Sequence, residues 1–297
     1  MMSDDLGPEY AAVSCYNSLK IGGGSHTLNR LNLKEVALAS NCSVDQYLNE
    51  ALPKYVQLMA ELMTARIKFL VEESNFFNSD WLVKEELISL DKFSAMFGIF
   101  GLAEAVNILM ERAGEPGKYG HSAASDDLGY LITSKVAELV AKIEMPYCEG
   151  NGGRAFMHSQ SGIDLDLDVT AGTRIPIGTE PDLFHHLKTV SRHHHLFASG
   201  ISDVLSFDET AVNNPQAVVD VIRGAFDAGM RDFTFNLDSN DFIRITGYLV
   251  RKSDLAKMPD ARHSSTKLGA GSVAGSFVDK RNLKRVMSHE NAAGSNS

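Results

Sequence analysis

Cysteine is scarce: 297 residues contain only Cys15, Cys42 and Cys148. Three thiols form neither an even disulfide framework nor a CxxC pair, so they are expected to be reduced, and no structural zinc set is visible. Long hydrophobic runs are also missing. The most apolar stretch, Ala95 to Met110, contains Glu104 and Asn107 and is too short to span a bilayer. The N-terminal Met1 to Leu6 lacks the charged and apolar regions of a signal peptide. Positive charge is in short supply, with 28 Lys and Arg against 38 Asp and Glu and a formal charge of −10. That balance argues against general nucleic-acid binding, which needs a basic surface, and leaves a small acidic or neutral substrate open. Together these absences predict a soluble cytoplasmic protein with no membrane segment.

What is present is ordinary globular composition, 44% hydrophobic and 22% charged, on a chain long enough to bury a substantial core. Val56, Met59, Met63, Ile67 and Leu70 recur at helical spacing behind a capping Ser43 and a first-turn Pro53. Phe97 onward reads as an apolar turn or strand entering a helix that ends at Gly114, and Ser125-Asp126-Asp127 reads as the cap of a helix reaching about Lys142. Strand character follows at Arg154 to Ser159 and Ile163 to Val169. A helix opens at Thr179-Glu180-Pro181 and runs to near Gly200; a strand spans Ser202 to Phe207. Asn214 and Pro215 start another helix that stops near Gly229, and a strand covers Asp232 to Leu237. The alternation from residue 90 onward implies an α/β arrangement.

Several polar groups invite a chemical reading. Asp164, Asp166 and Asp168 share one strand face, but same-face neighbours stand about 7 Å apart, which suits a solvated acidic face better than one Mg²⁺ or Ca²⁺. His185, His186, His193, His194 and His195 suggest metal, yet no HExxH accompanies them, and a polar helix face is the simpler reading. Glu104 and Asn107 lie on one helix face, either as capping or surface groups or as the lining of a cavity. Gly22-Gly23-Gly24-Ser25 is a flexible connector or, in a third functional reading, a nucleotide-phosphate cradle, although it matches neither GxGxxG nor GxxxxGK[ST]. Lys280, Arg281, Lys284 and Arg285 read as a solvated basic helix end or tail.

The most informative stretch is Asp241 to Val250. By pattern it is a short apolar strand, Phe242 to Val250, interrupted by Gly247, and a glycine inside a strand marks a bulge or a close approach. Arg244-Ile245-Thr246-Gly247-Tyr248 resembles the Arg-Val-Ser/Cys-Gly-Tyr signature of glycyl radical enzymes, with Ile for Val and Thr for Ser or Cys. In that family the glycine loses an α-hydrogen and holds a backbone radical. Without a β-carbon its α-carbon can flatten and share the spin with the neighbouring amides. Val13 to Asn17, with Cys15 at the centre and three glycines shortly after, resembles the cysteine loop of the YjjI-type subfamily. Taken alone, Cys15 would read as a buried, inert thiol. The likeness extends from Cys15 to about Arg285 and includes Asn151 to Phe156 and Ser161 to Arg174.

The resemblance implies an α/β fold that is the second half of a ten-stranded glycyl radical enzyme barrel with a C-terminal radical loop. It divides the chain into a half-barrel with the cysteine loop (1–235), a glycine radical domain (236–286) and a disordered tail (287–297). It implies an oxygen-sensitive, anaerobic enzyme in which the Gly247 radical generates a thiyl at Cys15, which takes hydrogen from a small organic substrate. No cofactor is bound; a radical S-adenosylmethionine activating enzyme installs the radical. The first half-barrel would lie upstream of Met1, so a missing N-terminal half-barrel or a homodimer partner joins the expected partners. The alternative is a non-catalytic or complementing radical-domain subunit of a split enzyme. Departures narrow the chemistry. Cys15 is flanked by Ser14 and Tyr16 rather than by a second cysteine. Asn17 stands where dehydratase-like members place a glutamate and cannot take a proton at neutral pH. The C-terminus has no four-cysteine zinc site. Substrate-binding residues remain unassigned.

Overall fold

The structure, a computed structural model, describes residues 6–13, 17–115, 117–159, 169–176, 178–201, 203–208, 210–232, 234–237, 242–245 and 248–251. The chain opens with strands absent from the sequence reading: β1 (Tyr10–Val13) and β2 (Asn17–Lys20) pair antiparallel, with Val13 opposite Asn17. The glycine run that follows is neither a flexible connector nor a phosphate cradle. Gly22 O and Gly24 O each accept a backbone N–H, from Ser89 and Ser94, at 2.9 Å. A Cβ on Gly23 would stand 2.0 Å from the Lys92 carbonyl oxygen, so only glycine lets the two backbones approach this closely.

β3 (Ser25–Asn32), β4 (Ser94–Phe100) and β5 (Ala155–His158) form a parallel sheet with β4 in the middle, Leu31 opposite Ile99 and Phe97 opposite Met157. Every residue of β4 is buried, as expected of a central parallel strand covered on both faces. The crossovers are helical. α1 (Leu33–Ser40) and α2 (Leu52–Lys68) join β3 to β4; α3 (Leu102–Arg112) and α4 (Ala123–Ala141) join β4 to β5. α2 buries Val56, Met59, Ala60, Met63 and Ile67 on one stripe and packs against β3 and α4. Ser43 forms a capping box with Gln46, and Pro53 lies in the first turn of α2, both as expected. Apolar spacing did not reveal the π-helical turns that flank α2 at Tyr47–Ala51 and Phe69–Glu73. α4 starts earlier than anticipated: Ser122 is its cap, which places Ser125 and Asp126 inside, buried against their neighbours.

The remaining elements are α5 (Leu183–Ser191), β6 (Val204–Phe207), α6 (Pro215–Asp227) and β7 (Thr234–Leu237). α5 is capped by Asp182 rather than opened at Thr179, and it stops at Ser191; a 3-10 turn, His194–Leu196, replaces the run expected to reach Gly200. α6 begins as foreseen, with Asn214 accepting from Ala217 N and Pro215 in first place. β6 and β7 pair in parallel, Leu205 opposite Phe235. The single strand expected over Phe242 to Val250 is instead an antiparallel pair, β8 (Phe242–Ile245) and β9 (Tyr248–Arg251), with Ile245 opposite Tyr248. The fold is α/β, and among the described residues no helix is long and apolar enough to cross a membrane.

Candidate active site

Cys15 and Gly247 both lie outside the described residues; what the structure gives is their frame. Cys15 falls between β1 and β2, two residues from the paired Val13 and Asn17. Gly247 falls between the paired Ile245 and Tyr248. The first hairpin is tied down from both strands. Tyr10 donates its hydroxyl to Gly150 O at 2.6 Å and meets Phe156 edge-on at 6.2 Å. On β2 the buried Ser18 hydroxyl is hydrogen-bonded to that of Ser199. The other two thiols lie within the described residues. Cys148 is buried and its thiol is pushed up to about 12 by burial and by Glu149, which keeps it protonated; the half-buried Cys42 donates to Ser40 Oγ at 3.0 Å.

Glu104 and Asn107 hold chain segments to α3. Glu104 Oε1 accepts from Thr170 N at 3.0 Å and from the Thr170 hydroxyl, and Asn107 Oδ1 accepts from Tyr119 N at 2.9 Å. Of the two open readings, the capping role fits these bonds, with both side chains half-buried. Asp164, Asp166 and Asp168 lie outside the described residues.

Three of the five histidines, His186, His193 and His194, overturn the polar-face reading, while His185 is half-buried and His195 exposed. His186, Val190 and His193 recur at i, i+4 and i+7 and are all buried. His193 is fully enclosed, and burial, with Arg192 adding to it, pushes its imidazole down to about 3, so the ring is neutral. Its Nδ1 lies 2.9 Å from the Thr133 hydroxyl and its Nε2 lies 3.0 Å from the Tyr119 hydroxyl. Tyr119 donates to Thr173 O at 2.9 Å. A neutral ring has one N–H, and with Tyr119 donating to Thr173 O the consistent assignment has Nε2–H donating to Tyr119 and the Thr133 hydroxyl, which also lies 3.1 Å from Gly129 O and 3.0 Å from Tyr130 O, donating to Nδ1. The chain of bonds staples α4, the segment before it, Thr173 and the turn after α5 together.

His186 Nε2 and Asp203 Oδ2 form a buried pair at 2.8 Å. Burial acts to raise the Asp203 carboxyl, but His186 and then Arg174 outweigh it and hold it at about 2. Burial likewise acts to lower His186, and Asp203 outweighs it, so the imidazole sits above its ordinary value. Asp126 joins α4 to α5, accepting from Gly120 N at 2.7 Å, from the Thr189 hydroxyl at 2.8 Å and facing His185 Nε2 at 3.0 Å.

Asp232 is the opposite case. Both of its carboxyl oxygens are buried without a hydrogen bond, and burial, reinforced by the charge of Asp203, pushes it up to about 8 against the pull of Arg174 and Arg231. Its Oδ1 lies 3.5 Å from His194 Nδ1, which already accepts from Arg231 N at 3.0 Å. A Cβ on Gly200, whose φ is +80°, would stand 1.8 Å from that same oxygen. Asp203 and Asp232 gave no motif to find; the periodicity of His186, Val190 and His193 was the available signal for a buried face. Among the described residues no group of three His, Cys, Asp or Glu side chains is placed to hold a metal ion.

Solved structures share this fold. An anaerobic ribonucleotide reductase aligns over 83% of this chain and 44% of its own with a TM-score of 0.63 at 15% identity. A glycyl radical enzyme from Archaeoglobus fulgidus aligns over 88% of this chain and 46% of its own, also at 0.63, with 11% identity. The family description "Glycyl radical enzyme YjjI-like" matches residues 1–284. Among curated relatives, the uncharacterized protein YjjI of Escherichia coli (strain K12) is 47% identical over 95% of this chain and 54% of its own length. An uncharacterized protein of Haemophilus influenzae is 41% identical over 94% and 55%. The chain therefore belongs to the YjjI-like glycyl radical enzyme family, and it spans about half the length of the curated relatives it matches.

Proposed function

We propose that Gly247 stores a backbone radical, that Cys15 receives the hydrogen vacancy as a thiyl, and that the thiyl takes hydrogen from a C–H bond of a small organic substrate. The observation that carries this reading is the Arg244 to Tyr248 motif within a chain matched to the family over residues 1–284. Supporting it, Cys15 and Gly247 each fall between two short, antiparallel-paired strands. Among the described residues the parallel strands come as a sheet of three and a pair, in line with half of a ten-strand barrel. On this reading residues 1–235 form the half-barrel and 236–286 the radical domain, and the activating partner is a radical S-adenosylmethionine enzyme.

The chemistry can be tested without knowing the substrate. When the radical takes hydrogen from the thiol, the S–H bond breaks, a C–H bond forms at Gly247, and a thiyl remains. The reverse transfer removes either α-hydrogen. Thiol protons exchange with solvent, so in D₂O repeated transfers place deuterium on the glycine and collapse the doublet of its EPR signal to a singlet. After anaerobic activation, wild type is expected to give a doublet that collapses in D₂O, Cys15→Ser a doublet that persists, and Gly247→Ala no signal. Absence of the wild-type doublet with a competent activase would sink the reading.

A second reading, a non-catalytic or complementing subunit that supplies the radical domain to a partner half-barrel, is favoured by an outward apolar stripe on α2 and its C-terminal extension. Leu58, Leu62 and Phe69 are 49%, 52% and 59% exposed there. It predicts D₂O collapse only after the partner half is added.

A further inference from the structure

One short segment is bonded both to β2, the strand that follows Cys15, and to β7, the strand that precedes β8. On one side Ser199 is joined to Ser18 on β2, the strand that begins two residues after Cys15. On the other, Asp203 O accepts from Thr234 N at 2.9 Å and from the Thr234 hydroxyl at 3.2 Å. Thr234 is the first residue of β7, the strand that precedes β8 in the chain, and Gly247 falls between β8 and β9. The segment itself has little freedom. Arg231 Nη1 donates to Phe197 O and Ala198 O at 3.1 Å, Gly200 N donates to Phe197 O at 2.9 Å, and Asp203 N donates to Ile201 O at 2.8 Å. The Asp203 side chain is locked to α5 by His186 at 2.8 Å.

We propose that the segment carrying Ser199 and Asp203 is the spacer that sets the separation of the cysteine hairpin from the glycine hairpin, with Ser18, Ser199 and Asp203 as positioning residues for hydrogen transfer. The inference rests on the radical reading above. Its physical basis is that hydrogen transfer needs near contact, and misplacement by about 1 Å can cost on the order of a hundredfold in rate. The buried Ser18–Ser199 bond is a side-chain link between β2 and this segment; neither hydroxyl touches the reacting atoms in the proposal.

The test compares the rate of doublet collapse in D₂O for the activated native protein carrying Ser18→Ala, Ser199→Ala, both together, or Ser18→Thr. Radical yield before D₂O and the melting temperature are recorded for each. The expected result is collapse slowed roughly tenfold to a hundredfold in either alanine variant. The double variant should be no slower than the worse single, Ser18→Thr should be near wild type, and radical yield should be unchanged throughout. A purely structural hydroxyl would lower the melting temperature and leave the exchange rate alone, and that outcome overturns the proposal. So does a double variant whose slowing is the product of the singles. If a single variant does not fold, Ser199→Ala and Ser18→Thr are judged by the same two criteria. A wild type that shows no doublet, or one that never collapses, removes the radical reading itself, which distinguishes that failure from failure of the spacer.

Discussion

The sheet of β3, β4 and β5 with its helices and the region around α5, β6 and β7 are held together by different means. In the first, Leu33, Leu52, Met63, Ile67, Phe97, Ile99, Leu102 and Leu109 are almost wholly enclosed, and each fully buried side chain of this size contributes on the order of 1.5–3 kcal/mol. In the second, His186, His193, His194, Asp203 and Thr189 occupy comparably buried positions. Apolar burial is non-directional, so the first region needs the right shapes. A buried polar group needs one partner at one angle, so the second region needs specific pairs. The difference suggests that the first region serves as platform and the second as the part whose geometry is specified closely.

The comparison is broken most directly at Asp203. Asp203→Ala leaves His186 buried without its carboxylate and is expected to cost about 3–5 kcal/mol at pH 6, read by urea unfolding. The pH dependence has two arms. Because Asp203 is depressed to about 2 in the folded protein, its contribution is present above the ordinary carboxylate range and is lost as pH falls towards 2. Because His186 is raised, its contribution is present below its ordinary value and is lost as pH climbs through the raised one. Asp203→Ala should abolish both arms. Leu109→Ala, in the apolar region, is expected to cost about 2–5 kcal/mol with no comparable pH dependence between pH 5 and 8. A pH-dependent loss there would erase the distinction.

Asp232 sharpens the comparison from the other side. Its folded carboxyl is raised to about 8, so the folded state keeps a proton that the unfolded state gives up near pH 4, and stability from this group falls as pH rises between the two. The groups facing it are His194, Asp203, Arg174 and Arg231. Asp232→Asn should therefore be nearly neutral at pH 4 and stabilising by on the order of 5 kcal/mol at pH 8, seen as a melting temperature that no longer declines over that range. A variant less stable than wild type at pH 8 would mean the carboxylate has a compensating partner. Smallest is Thr133→Val, which removes the donor to His193 Nδ1 and should cost about 1–2 kcal/mol in urea. A loss well above that would show the stapling chain to be cooperative.

Legibility followed the same division. The α2 stripe, the α3 helix ending before Gly114, Ser43 with Gln46, and Asn214 with Pro215 were readable because each depends on neighbours within a few residues. The start of α4 was misplaced because Ser122 and Ser125 are both acceptable caps locally, and only the Ser122 register lets Asp126 reach Gly120 and Thr189. The glycine run gave a wrong impression of looseness, since the Lys92 backbone that fills the space beside Gly23 is far away in sequence. The histidines looked like a polar face because their partners, Thr133, Asp203 and Tyr119, come from other elements.

The sequence by itself pointed to the family, through the likeness of Arg244 to Tyr248 and of Val13 to Asn17 to the family's motifs, because such short patterns depend only on residues next to one another in the chain. It also determined the apolar helices and their caps, which are short-range properties of the chain. Only the tertiary structure decided that His186, His193 and His194 face inward, that Asp203 is charged while Asp232 holds its proton, and that Ser18 meets Ser199. Each of these depends on which distant group arrives within hydrogen-bond reach and how much water is left beside it.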